Sequence, residues 1–154
     1  MATMVSDPYV NHIPTMTGGV GAEDLSRFYE HHFINNNPKD TQMIPISRVV
    51  GTDRAVDEML FCFTHDREID WMLRGIAPTG KPVKIPLVAI VAFRDGKLCH
   101  EHIYWDQASV LVQIGLSDST NLPIAGVETA NKLLDKNLPS NTLMKRWAES
   151  ANKS

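Results

Sequence analysis

The sequence predicts an α+β domain, a curved antiparallel sheet with helices over one face. Three observations predict it. Residues 85–93 (IPLVAIVAF) are almost wholly apolar and β-rich, as in a strand covered on both sides. Arg94-Asp95-Gly96-Lys97 follows, and its Asp-Gly pair favours a primed hairpin turn. Leu98 to Asp106 then alternates. Cys99, Glu101, Ile103 and Trp105 fall on one face, and His100, His102, Tyr104 and Asp106 on the other. Polar groups on both faces point to one face lining a pocket and the other meeting water or a partner.

The remaining elements follow in order. Residues 1–22 are loop-like, rich in Pro and Gly, with Tyr9 to His12 as a short extended piece. A helix runs from Ala22-Glu23-Asp24 to about Phe33, with Leu25, Phe28, Tyr29 and His32 as its buried stripe. Asn35-Asn36-Asn37-Pro38 ends it. Residues 41–50 read as a strand in which Pro45 marks an edge or a bulge. Residues 55–64 read as a central strand, and residues 67–75 (REIDWMLRG) as another. Beyond the hairpin the period changes: Gln107 to Gly115 is helical, with Asp106 as its N-cap and Gly115 as its C-cap. Two helices are expected after it, over residues 125–137 and over residues 140–152, the second opened by Ser140.

Composition narrows the function classes. The 154 residues suit one domain with a single good core. A net charge of −3 without a basic run argues against nucleic acid as a partner. The apolar runs fall short of a membrane span, and the N-terminus carries no basic and apolar regions of a secretion signal. Cys62 and Cys99 sit in strand-like segments and read as free thiols, which places the chain in a reducing cytoplasm. The HEH triplet at residues 100–102 is not a metal site, because three consecutive strand residues cannot converge on one ion.

The runs FRDGKLCHEHIYWDQASVLVQIGL, GIAPTGKPVKIP and YVNHIPTMTGGVGAEDLSRFY resemble the SnoaL-like group, polyketide-cyclase relatives within the nuclear transport factor 2-like superfamily. The resemblance covers roughly residues 8–118. It implies a nuclear transport factor 2-like cone, with the sheet bent around a deep apolar pocket, and often a homodimer through the outer sheet face. It implies a SnoaL-like domain over residues 1–118, with residues 119–154 as a helical extension packing on the domain or on a second subunit. Members begin with a long helix before the DPYVN-like segment. Only Met1 to Asp7 precede that segment here, so either the pocket is more open or another segment covers it, with Ala125–Ala151 of the same or a second chain as the candidate cover.

Carried over residue by residue, the resemblance is partial. In the group's polyketide cyclases an Asn, a His and an Asp line the site. The Asn position falls on Asn11, the His position on Ala89 and the Asp position on Ile103. The related epoxide hydrolases use an Arg-x-Asp pair, for which this chain has Glu68-Ile69-Asp70, with Arg67 out of phase. Glu101 and Trp105 share the face of Ile103. A carboxyl beside an indole in an apolar cone has a raised pKa, which makes Glu101 a candidate general acid or base. Asp70 and His65 are its candidate partners. Asn11 and His12 are candidates to orient a substrate oxygen, with Trp105, Ile103 and Ala89 as further pocket contacts. The expectation is a cofactor-free enzyme that cyclises, lactonises or isomerises a polyketide-like, apolar oxygenated small molecule. The alternatives are a non-catalytic binding or dimerisation domain and an epoxide-hydrolase-like hydrolase.

Overall fold

The hairpin at the centre of the sequence is the centre of the sheet. In the computed structural model, which describes residues 3–151, the strands are β1 (Met4–His12), β2 (Thr17–Val20), β3 (Gln42–Val50), β4 (Arg54–Thr64), β5 (Pro82–Arg94) and β6 (Lys97–Trp105). The helices are α1 (Gly21–Phe28), α2 (Asp70–Leu73), α3 (Gln107–Gln113), α4 (Glu128–Leu134) and α5 (Trp147–Ser150). A π-helical turn, Tyr29–Phe33, continues α1. The six strands lie in the order β2-β1-β6-β5-β4-β3.

Asp95 and Gly96 join β5 to β6 with φ of 53° and 73°. Two positive φ values in a row are what a type I′ hairpin turn demands. Pro45 sits on β3, which is an edge strand, and the β3–β4 register shifts between Pro45 and Ser47. The proline thus marks both an edge and a bulge.

The expected sheet is corrected at three places. It has six strands, and it is mixed, because β1 runs parallel to β6, pairing Val10 with Glu101 and His12 with Ile103. The loop expected before α1 instead makes β2, which forms a hairpin with β1. That hairpin needs Gly18: its φ is 133°, and a Cβ there would lie 2.1 Å from the Val10 carbonyl oxygen. Residues 67–75 are not a strand. Ile69, Trp71, Met72 and Leu73 are all buried, so no face alternates, and the chain turns once as α2.

The stripe on α1 is corrected at its end. Leu25 and Phe28 are buried, but His32 is exposed. The Ile34 amide bonds the Tyr29 carbonyl at 2.9 Å, an i→i+5 closure. The extra residue in that turn brings Phe33, not His32, back to the face of Phe28, with ring centroids 5.7 Å apart.

After β6, Asp106 caps α3 by accepting the Ser109 amide at 3.1 Å. Gly115 follows α3 with φ of 80°. Gln113 on α3 accepts from the Lys84 amide and donates to the Lys84 carbonyl, at 2.8 and 3.1 Å, which satisfies the backbone where β5 begins. Ser109 Oγ donates to the Gly126 carbonyl at 2.9 Å, and α4 buries Ala130 against the domain. The helix expected over 140–152 reduces to α5, preceded by turns, and residue 152 lies outside the described residues. No described residue from Ala125 onward lines the cavity under the sheet.

Candidate active site

Five strands (β1, β3, β4, β5 and β6), the π turn and α2 converge on one cavity of about 280 Å³. Its walls are His12, Tyr29, Phe33, Met43, Met59, Phe61, Trp71, Leu87, Ala89, Glu101 and Ile103. Strand alternation selects them. Ala89 pairs with Ile103, and Leu87 with both Trp105 and Met59, so the inward positions of β4, β5 and β6 meet in rows. The parallel β1–β6 pairing then brings His12 beside Ile103 on the same wall. The π turn adds Tyr29 and Phe33, and α2 adds Trp71, whose Nε1 donates to Asn37 Oδ1 at 3.0 Å.

Three titratable groups face this cavity. Glu101 has no ion-pair partner among the described residues. Its pKa is raised, first by burial and then by the like charge of Asp57. Asp57 lies on the inward parity of β4 and is itself paired with Arg48 on β3. Burial also pushes the Tyr29 phenol up to about 12, and the Glu101 charge adds to that. Tyr29 therefore stays protonated and is available as a hydrogen-bond donor.

His12 is 4% exposed and enclosed by rings, with centroids at 4.8 Å for Trp71, 5.4 Å for Phe33, 5.5 Å for Phe28 and 5.9 Å for Trp105. Burial lowers its pKa to about 4, against the opposing pull of the Thr17 carbonyl. Nδ1 lies 3.1 Å from that carbonyl oxygen, which can only accept, so Nδ1 carries the proton and Nε2 keeps the lone pair. At neutral pH the imidazole is a neutral acceptor.

The residues singled out from the sequence divide. Glu101, His12, Ala89 and Ile103 line the cavity together. Trp105 stands behind that wall, 9% exposed, packed edge-on to Trp71, with its Nε1 donating to Gln107 Oε1 at 2.8 Å. Asn11 pairs with His102 in register and points to the opposite face of the sheet from His12. His65 is fully buried away from the cavity, its Nδ1 3.1 Å from Thr79 Oγ1 and its pKa lowered by burial. Asp70 opens α2 and accepts from His32 Nδ1 at 2.7 Å, so its carboxylate is turned to the π turn, outside the cavity lining. Tyr29, Phe33, Met43, Met59, Phe61 and Trp71 went unassigned as site residues. Tyr29 had a signal, its place on the α1 stripe. Trp71 had none, because a strand reading of residues 67–75 sets its side chain opposite Asp70.

A second hollow, an open groove of about 800 Å³, lies between the start of β5, α3 and the segment around α4. Its walls include Val83, Val112, Ala125, Val127 and Leu143, and none of the cavity residues.

The comparisons with known proteins agree with this architecture. The profile of the SnoaL-like domain matches residues 1–101. Among solved structures, a candidate SnoaL-like polyketide cyclase of Jannaschia sp. CCS1 superimposes with a TM-score of 0.59 at 18% identity, over 76% of each chain. IdmH, a candidate polyketide cyclase of Streptomyces antibioticus, gives 0.56 at 19% identity, over 74% of this chain and 83% of its own. An NTF2-like protein of Burkholderia pseudomallei gives 0.54 at 18% identity, over 74% of this chain and 81% of its own. Among curated proteins none matches. No described helix is long and apolar enough to cross a membrane. With a cone-shaped sheet, an inward-facing cavity and a profile match over most of the sheet, the chain belongs to the SnoaL-like domain family.

Proposed function

We propose that the chain is a SnoaL-like enzyme that performs acid–base chemistry, without a redox or metal cofactor, on a small oxygenated molecule held in the 280 Å³ cavity. One observation carries the reading: Glu101 stands in an apolar cavity with a raised pKa and without a cationic partner among the described residues. Burial and the like charge of Asp57 make its proton harder to lose than that of an exposed glutamate, which suits a general acid or base. Glu101 takes or gives the proton. The Tyr29 hydroxyl donates to a substrate oxygen, and His12 Nε2 accepts from a substrate hydroxyl. Cyclisation, lactonisation and enol isomerisation all need these roles. His65 and Asp70, outside the cavity lining, are not given a catalytic role in this scheme.

The outer sheet face, with Tyr9, His102 and Tyr104, is the homodimer contact in this reading, and the free thiols Cys62 and Cys99 fit a cytoplasmic setting. A non-catalytic pocket is the competing reading, favoured by Ala89 and Ile103 at positions where the resembled cyclases carry proton-transfer groups. Substrate screening with lactonisable and enolisable compounds, followed by Glu101→Gln, separates the two. The enzyme reading expects turnover to fall by about 10²–10⁴ with ligand affinity kept. Binding without turnover, unchanged by the substitution, supports the carrier.

A further inference from the structure

We propose that this cavity is selective for a small organic cation, an alkylated or protonated amine. The inference rests on the assignment of the cavity as the ligand site, and not on proton transfer by Glu101.

The argument starts from what the walls offer. Tyr29, Phe33, Phe61 and Trp71 come from three separate parts of the chain and form a continuous aromatic surface. Phe33 and Trp71 centroids lie 5.1 Å apart, Tyr29 and Phe33 5.8 Å, and Phe61 and Trp71 6.2 Å. The faces of such rings carry partial negative charge and attract alkylammonium groups. Met43 and Met59 add polarisable sulfur.

The polar atoms point the same way. Glu101 is the one carboxylate among the lining residues, and that lining contains no Lys or Arg. The charge that acts on Glu101, Asp57, has the same sign, and the Arg48 that pairs with Asp57 has a side chain 68% exposed to solvent. His12 commits its N–H to the Thr17 carbonyl, so Nε2 is an acceptor. The cavity therefore presents a carboxylate, a ring-nitrogen lone pair and one phenol. An anionic ligand would find a single donor there and an opposing charge. A cationic nitrogen would neutralise Glu101, which is costly to bury alone, and would seat its alkyl groups against the rings.

The test compares choline with its uncharged isostere, 3,3-dimethylbutan-1-ol, by calorimetric titration of the full chain at low salt and pH 7.5. The proposal expects choline to bind at least about tenfold more tightly than the isostere. Glu101→Gln should erase that preference, and Phe33→Leu, which keeps an apolar side chain and removes a ring, should weaken choline more than the isostere. Equal binding of the two, tighter binding of the isostere, or no choline binding at millimolar concentration overturns the proposal. The comparison on the unsubstituted protein decides it even where a variant fails to fold. Glu101-dependent turnover of an uncharged substrate, with choline failing, would leave the enzyme reading standing and remove this one. Choline selectivity with no turnover of any substrate would do the reverse.

Discussion

Glu101 and His12 share a wall of one cavity, and burial pushes both toward their uncharged forms. Their consequences for stability have opposite signs. The Glu101 carboxyl holds its proton in the folded chain above its ordinary 4.5, so the folded state binds more protons in that window, and stability falls as pH rises through it. Glu101→Gln removes that penalty. Its melting temperature should exceed the parent's at pH 7.5, with the gain shrinking as pH falls toward 4.5, while activity drops. A site residue that raises stability when replaced is the signature of function held at a cost. For His12 the unfolded chain takes up a proton below 6.5 and the folded chain only near 4. Stability is complete above 6.5 and is lost as pH falls toward 4, by roughly 3 kcal/mol. Urea titrations at pH 7 and pH 4.5 should show this slope in the parent and a shallower one in His12→Leu. Alternation fixed which residues share the face of Glu101, and the resemblance to the SnoaL-like group turned that face inward. The fates of His65 and Asp70 were not readable, because their positions depend on partners distant in sequence, Thr79 and His32.

Elements with a local chemical reason were legible, and elements that exist only through tertiary pairing were not. The Asp95-Gly96 turn, the Asp106 cap and the Pro45 edge each follow from local chemistry: a pair that tolerates positive φ, a carboxylate that accepts a helix amide, and a ring that cannot donate. The parallel seat of β1 depends on β6, far along the chain, and β2 exists by pairing with β1; the local trace of both is little beyond Gly18. The π turn resembles an α-helix in pattern, and its single extra residue decides whether His32 or Phe33 faces inward. Gly18→Ala should accordingly cost about 2 kcal/mol or more, since a Cβ would meet the Val10 backbone. Chemical denaturation measures it, and a loss below about 0.5 kcal/mol would show that β1 and β2 can separate freely. Asp106→Ala, which removes one cap bond from a solvent-facing helix start, should cost about 1 kcal/mol.

At the scale of the whole molecule, the chain after β6 divides by how it is held. Residues through α4 are fastened: Ser109 bonds the Gly126 carbonyl, Gln113 completes the start of β5, and Ala130 is fully buried. Beyond α4 the large side chains lie open, with Leu143 48%, Met144 56% and Trp147 54% exposed. The described cavity draws no wall from that segment. Two truncations should therefore behave differently. A chain ending at Asn137 loses few buried apolar contacts, so its melting temperature should stay within about 2–4 °C of the parent's, the change expected from about 1 kcal/mol. Binding in the cavity should be unchanged. A chain ending at Leu116 removes the Gly126 acceptor of Ser109, leaving that hydroxyl only its bond from Gln113, and takes away α4 with its buried Ala130, leaving apolar surface bare. It should melt well below the first truncation. Were the shorter cut to lower stability as much as the longer one, residues 138–151 would be packed more firmly than their exposure indicates, with a second copy of the chain as the surface that covers Leu143 and Trp147.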